Sequence, residues 1–317
     1  MRSLSSTISF RAGFCAIAGL PNVGKSTLLN QLLGQPLSIV TPKAQTTRQR
    51  LLGIYTDDSH QAVFVDTPGL LEPRYLMQER MREDAEGAMA DADVLVYVVD
   101  AGFAPSLEHA ARYARPVRPS EPGGPEDGTE APYPRILCLN KMDRVNPEAR
   151  LEMVARFSGA AWDAVVATVA TTGEGVRALR EEVLRRLPPS PPLYPPEDVA
   201  VAPMRFFVSE LIRETVFELL ADEVPYATAV TIEEYRDASD KPGLLFIAAT
   251  IHVERESQKG IVIGAGGRMI RQVGTEARQK IEAFTGQRVY LELRAKVLRN
   301  WRRREGALKL LGLQRPG

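Results

Sequence analysis

The chain has 317 residues, with 40 basic and 40 acidic side chains, 44% apolar residues and 25% charged ones. This is an ordinary globular composition with room for two domains. No apolar run approaches the roughly 20 residues of a membrane span, the N-terminal residues have no long apolar segment of the kind a secretory signal needs, and Cys15 and Cys138 each sit inside an apolar run, as buried thiols in a reducing cytoplasm would.

Residues 14–18 (FCAIA) read as a buried strand, and a helical pattern follows through Leu28, Leu29, Leu32 and Leu33, with Gly34 as its stop. Between them stand Gly19, Leu20, Pro21, Asn22, Val23, Gly24, Lys25, Ser26 and Thr27. Strand, glycine-bounded loop, Lys-Ser and helix make the setting in which a phosphate-binding loop works; outside it, the same residues would be a glycine turn with a lysine. Gly19 and Gly24 let successive backbone N–H groups point at phosphate oxygens, and the helix N-terminus adds partial positive charge. Lys25 reaches the β- and γ-phosphates, and the Ser26 hydroxyl ligates Mg²⁺.

Further strands are expected over 50–55 and 62–66, the second ending on Asp66-Thr67-Pro68-Gly69. A carboxylate there holds Mg²⁺, usually through water, and the Gly69 N–H binds the γ-phosphate. Alone, this tetrapeptide is also ordinary turn punctuation. After a strand over 94–100, residues 115–134 are rich in Pro, Gly, Glu and Asp and read as a mobile surface insertion. A strand over 135–140 then leads to Asn140-Lys141-Met142-Asp143. The Asp143 carboxylate can accept from the ring N–H and exocyclic amine of guanine, a pattern adenine reverses. Such a mismatch discriminates by roughly 10⁴ or more. A last strand is expected over 163–169. Three motifs in this order, each after a strand, predict an α/β P-loop GTPase domain over 1–187, with a mostly parallel sheet and helices on both faces.

Residues 188–197 open with six prolines among nine residues and read as a semi-rigid linker. Beyond them, over 198–317, a helix is expected at 205–220, strands at 228–236 and 244–253, a helix at 269–284 and a strand at 288–294. Gly264-Ala265-Gly266-Gly267 precedes the second helix and Ile261-Val262-Ile263 precedes the glycines. The order α-β-β-α-α-β is that of a small α+β sheet with helices on one face, and its Gly-x-x-Gly loop joining two helices is either that of a type II KH domain, which clamps about four nucleotides, or a plain glycine turn between two core helices. The segment from Arg294 to Gly317 carries eight basic residues against one acid, Glu305. That charge suits a polyanion partner and a solvated basic helix equally.

The whole chain resembles the Era family of bacterial ribosome-assembly GTPases. The resemblance rests on Lys43-Ala44-Gln45-Thr46-Thr47-Arg48, on the stretch from Val253 through Glu254, Arg255, Ser257, Lys259 and Ile263 to Gly264, and on Asn300-Trp301-Arg302. It implies GTP and GDP as ligands with Mg²⁺ held by Ser26, Asp66 and either Thr46 or Thr47, and catalysis supported by Lys25, Thr46, Thr47 and Gly69. Residues 19–27 and 66–69 would line the nucleotide, with Asn140, Lys141, Asp143, Val169 and Ala170 around the base. RNA would be bound by Lys259, Ile263, Gly264, Ala265, Gly266, Gly267, Arg268 and Arg271, helped by Trp301, Arg302 and Arg303 of the basic tail. The implied partner is the 3′ end of 16S rRNA in the 30S subunit, bound by a cytoplasmic monomer that associates peripherally with the membrane; no obligate protein partner is inferable from the sequence. The rival reading is a membrane-associated signalling GTPase whose KH-like domain contacts protein or lipid.

The chain departs from the family pattern at three places. Ala265 and Gly266 are uncharged where the family often has a lysine. Val169-Ala170 stands where a Ser-Ala pair supports guanine, leaving the Ala170 N–H for the base oxygen but no serine hydroxyl. The 115–134 insertion has no family role. Leu70 stands where many GTPases carry a water-orienting glutamine, and Asn22 occupies the position that holds K⁺ in related GTPases without that glutamine.

Overall fold

The computed structural model describes residues 10–41, 43, 45–103, 133–158, 162–238 and 243–313. The expected 115–134 insertion lies outside the described residues, apart from its last two positions. The chain divides into two compact units, one of residues 1–38, 47–71 and 81–201, the other of residues 39–46, 72–80 and 202–317.

The first unit contains β1 (Arg11–Gly19), α1 (Lys25–Leu33), β2 (Leu51–Thr56), β3 (His60–Asp66), most of α2 (Leu76–Asp91), β4 (Val94–Asp100), β5 (Arg135–Asn140), α3 (Pro147–Ser158), β6 (Ala164–Ala167) and α4 (Val176–Arg186). Its six-stranded sheet has the order β2-β3-β1-β4-β5-β6. All neighbours are parallel except β2, which runs antiparallel to β3. β4 and β5 are apolar almost throughout, as strands covered on both faces must be. One core joins Ala16, Leu95, Tyr97 and Leu137 to Ala85 and Met89 of α2 and Phe157 of α3.

The proline-rich segment belongs to this unit. Proline has no N–H to donate, so its docking falls to the few residues that do. Ser190 N donates to Phe10 O at 3.1 Å, and the Leu193 and Tyr194 N–H groups donate to the buried Gln61 Oε1 at 2.7 and 2.9 Å. The chain then runs beside β2, where Ile54 N donates to Val199 O and Val201 N to Leu52 O. The expected spacer is therefore a strap that covers an edge strand.

The second unit contains α5 (Met204–Leu219), β7 (Ala229–Asp237), β8 (Leu244–Val253), α6 (Glu256–Ile263), α7 (Arg268–Thr285), β9 (Arg288–Val297) and the short α8 (Glu305–Leu310). β8 is central, antiparallel to β7 and parallel to β9. Alternate residues of β8 (Leu245, Ile247, Ala249, Ile251, Val253) pack against Val208, Ile212 and Val216 of α5 and Val273, Ala277 and Ile281 of α7. Ile261-Val262-Ile263 form the last turn of α6, with Val262 in that core.

Candidate nucleotide site and nucleic-acid groove

The nucleotide motifs meet at one edge of the first unit's sheet because each follows a strand and those strands are parallel. The connection after β1 runs to the β2–β3 side and the one after its neighbour β4 runs to β5 on the other side, which opens a crevice beyond Gly19. Gly24 turns the chain into α1 with φ 99°, and a Cβ there would lie 2.3 Å from Asn140 Nδ2, so only glycine closes this turn. Lys25 is buried, and its Nζ donates to the carbonyls of Gly19 (3.1 Å) and Leu20 (2.9 Å). Burial pushes its ammonium down to about 8, opposed by the nearby Asp66 carboxylate. Asn22 holds a left-handed backbone at the loop surface, φ 63°. Gly69 sits against Pro21 of the loop.

Four oxygen-bearing side chains gather beside Lys25. Ser26 Oγ donates to Asp66 Oδ2 at 2.8 Å and lies 2.9 Å from Thr47 Oγ1. The Thr47 and Ser38 hydroxyls reach the same carboxylate oxygen at 3.3 and 3.1 Å. Asp66 Oδ1 is buried without a partner. Burial holds the Asp66 carboxyl above its usual range, while Lys25 and the three hydroxyls pull it down. One orphaned carboxylate oxygen among hydroxyls fits Mg²⁺, which takes one or two carboxylates and completes its shell with water and substrate phosphates. Thr46 does not join this cluster; its carbonyl accepts from Arg213 Nη2. Ser38 carries no spacing signal in the sequence and was missed.

Leu70 is 4% exposed and packs into the α2–α3 core, with its N–H on Gly19 O at 3.0 Å. It has no access to a phosphate or to water.

A pocket of about 90 Å³ opens between Gly24, Thr27, Asn140, Lys141, Asp143 and Ala170. Asn140 braces it. Its Nδ2 donates to Val23 O at 2.8 Å, and its Oδ1 accepts from Thr168 Oγ1 at 3.1 Å and from Ala170 N at 3.0 Å. The Ala170 N–H expected on the base oxygen is thus engaged by Asn140. Thr168, beside Val169, is buried and gives its hydroxyl to Asn140 rather than to the pocket. Lys141 Nζ pairs with Asp100 Oδ2 at 2.7 Å. Asp100 ends β4 in register with Asn140, a pairing that only the sheet sets. Asp143 stands exposed at the rim.

In the second unit the glycine loop is a single tight turn between α6 and α7. Gly264 has φ 71°, and a Cβ there would lie 2.7 Å from Met269 Cβ. Ala265, Gly266 and Arg268 are exposed, and Arg271 Nη2 donates to Gly266 O at 2.7 Å. Lys259 lies 3.8 Å from Glu256, and Ile263 is half-buried. Beyond the loop a groove of about 530 Å³ runs between α7 and β9, lined by Ile270, Gly274, Arg278, Leu291 and Leu293 among others. Its β9 wall carries no motif in the sequence.

Trp301 does not face this groove. It is fully buried, and its Nε1 donates to Ala227 O at 2.8 Å. A ring without exposed surface offers nothing to a nucleobase, so the expectation that Trp301 binds RNA is corrected to a core role. Arg302 pairs with Glu254 and lies 5.0 Å above the Tyr75 ring. Arg303 is exposed. Elsewhere in this unit Lys43 Nζ donates to the carbonyls of Phe217 and Leu220 at the end of α5, where a cation complements the helix dipole.

Residues 14–141 match the family described as 50S ribosome-binding GTPase, and residues 223–302 match the KH domain family. GTPase Era of Thermotoga petrophila is 40% identical over 94% of this chain and 95% of its own length. GTPase Era of Geotalea uraniireducens is 39% identical over 96% and 98%. The chain belongs to the Era family of GTPases. Among solved structures, a variant of Aquifex aeolicus Era bound to GDP·AlF4⁻ matches with a TM-score of 0.86 at 34% identity, covering 96% of this chain and 100% of that one. Era in complex with MgGDPNP and nucleotides 1506–1542 of 16S ribosomal RNA matches with the same TM-score and identity over 96% and 99%. The two-part architecture of Era, a P-loop GTPase domain followed by a KH domain, is therefore the architecture of this protein, and it is a GTP-hydrolysing enzyme.

Proposed function

We propose that this Era-family GTPase uses its nucleotide state to gate binding of the 3′ end of 16S rRNA by its KH domain during assembly of the 30S subunit. The observation that carries this reading is the presence in one chain of a Mg²⁺-competent oxygen cluster beside a buried P-loop lysine and of an exposed glycine loop opening into a long groove. The Era complex with MgGDPNP and rRNA nucleotides supports it.

Lys25 would turn from the loop carbonyls to the β- and γ-phosphates, and Asp143 would read guanine at the rim of a pocket braced by Asn140. Ser26, Thr47 and Asp66 would hold Mg²⁺, whose charge offsets that of the phosphate oxygens. With Leu70 buried, no side chain at that position orients water, so intrinsic hydrolysis is slow. K⁺ near Asn22 would supply part of the missing charge; equal turnover in K⁺ and Na⁺ buffers removes that role. Nucleotide state reaches the KH domain along the chain itself. Thr47 belongs to the oxygen cluster, and its neighbour Thr46 is held by Arg213 of α5.

The test is a fluorescence titration of an RNA covering nucleotides 1506–1542, with GDPNP and then with GDP. The expected result is binding about tenfold tighter or more with GDPNP, within the usual range of allosteric coupling. Equal binding in both states, or none in either, rules the gate out. The same reading gives a cytoplasmic monomer with a peripheral membrane contact. No described helix is long and apolar enough to cross a membrane. The exposed basic side chains of the C-terminal segment, such as Arg303 and Arg304, suit an anionic surface, and failure to co-sediment with anionic vesicles discards that contact.

A further inference from the structure

The face of the KH sheet turned away from the helices carries a row of side chains that neither the nucleotide pocket nor the glycine loop uses. The strand register sets Arg236 of β7 opposite Phe246 of β8, and Phe246 opposite Tyr290 of β9. The Phe246 and Tyr290 rings stack with centroids 5.6 Å apart and planes 15° from parallel. The Arg236 guanidinium lies 4.5 Å from the Phe246 centroid. The neighbouring rows on the same face are Glu234, Ala248 and Glu292 on one side and Leu244 and Arg288 on the other, so no second aromatic row flanks this one. Tyr290 is 55% exposed, which is little burial for a ring whose only role is to stabilise the sheet.

Position decides what such a row would meet. β9 is an edge strand, so Tyr290 is the last ring of the row, and it also lines the groove between α7 and β9. The glycine loop lies at the N-terminal end of α7. Val289 N donates to Glu282 Oε1 at 2.9 Å, which places the start of β9 at the other end of that helix. The α7 residues lining the groove run from Ile270 to Arg278, about 12 Å of helix. A Gly-x-x-Gly groove holds about four nucleotides. A strand that follows this groove away from the glycines therefore reaches Tyr290 where the groove ends.

We propose that Tyr290, backed by Phe246 and Arg236, is a base-stacking platform for single-stranded RNA, taking the nucleotide that leaves the groove at the end remote from the glycine loop. The proposal rests on the reading of the groove as an RNA site. Stacking on an aromatic face tolerates any base, so the platform adds affinity and sets the length of RNA held without adding a sequence requirement.

The experiment uses the full chain with GDPNP and nested RNAs of about 4 to 12 nucleotides from the 16S rRNA 3′ end, against wild type, Tyr290→Ala and Tyr290→Phe. Base–aromatic stacking predicts that Tyr290→Ala weakens the longer RNAs by about 5- to 150-fold, leaves the shortest unchanged, and that Tyr290→Phe binds like wild type. Thermal unfolding checks that the exposed substitution leaves the fold intact. Unchanged affinity of Tyr290→Ala for the longest RNA overturns the platform, and so does an equal loss at every length, which would mean a damaged groove. If wild type binds the RNAs and only the length-dependent loss fails to appear, the platform falls while the groove reading stands. If wild type binds none of them, both fall.

Discussion

Thr46 and Thr47 are chemically identical neighbours with different surroundings. Thr47 Oγ1 faces Ser26 and Asp66, whereas the carbonyl of Thr46 is held by Arg213. Thr47→Ala should raise the Mg²⁺ concentration needed for half-maximal GTP turnover by about tenfold, the scale of a lost hydrogen bond to a charged group. Thr46→Ala should leave it within about twofold, and a Mg²⁺ titration of turnover separates the two. Lys25 gives a pH dependence. Burial lowers its ammonium to about 8 in the protein without nucleotide, and phosphate oxygens favour the charged form. Below that value the lysine is already charged and nucleotide affinity is flat. Above it binding must take up a proton, so affinity should fall by up to about tenfold per pH unit. Calorimetry at pH 9 in buffers of different ionisation enthalpy should show that uptake; its absence means Lys25 keeps an ordinary value. Lys25, Ser26 and Asp66 were legible because each sits at a fixed offset from a strand end. Ser38 and Thr168 were not, since a hydroxyl residue in a loop has no periodicity to betray its partner.

At the scale of elements, alternation and helical spacing located every strand and helix named in advance to within a few residues, because one apolar face per element is a local property. The errors came where an element's neighbour mattered. Trp301 sits among Arg299, Arg302, Arg303 and Arg304, and the family resemblance implied an RNA role for it together with Arg302 and Arg303. The fold instead buries its ring and gives its N–H to Ala227. Trp301→Phe should leave that carbonyl unsatisfied and a void beside it, costing about 1–3 kcal/mol. Urea unfolding should show a lower midpoint, while RNA affinity of the folded protein stays within about twofold. A large loss of RNA binding at unchanged stability would restore the original expectation. The proline-rich segment is a second case, since the composition implied a semi-rigid spacer and only the long-range partner Gln61 makes it a strap.

For the whole molecule the unexpected feature is how the chain divides. Residues 39–46 and 72–80 lie between GTPase motifs in sequence but belong to the compact unit that holds the KH domain. Within that unit Arg213 holds the Thr46 carbonyl, and Lys43 bonds the Phe217 and Leu220 carbonyls. If these bonds carry the nucleotide signal, Arg213→Ala should bring the ratio of RNA affinities with GDPNP and GDP close to one. GTP turnover should stay within about threefold, because neither atom touches the nucleotide pocket. Lys43→Ala should shift the ratio the same way without removing the buried Arg213, which guards against a folding artefact. A ratio unchanged in both variants excludes this route. Taken by itself, the sequence determined the chemistry on offer: a phosphate loop with its lysine and hydroxyl, a guanine-reading aspartate, a glycine clamp, and the order in which they come. Each depends on backbone turns and side chains within a few residues of one another, and local geometry is written locally. Tertiary structure alone decided which threonine joins the Ser26–Asp66 cluster, that Thr168 braces Asn140, that Trp301 is core, and that Tyr290 ends an aromatic row at the mouth of a groove. Those are choices among partners far apart in the chain, made by packing and strand register, and no residue's immediate neighbours encode them.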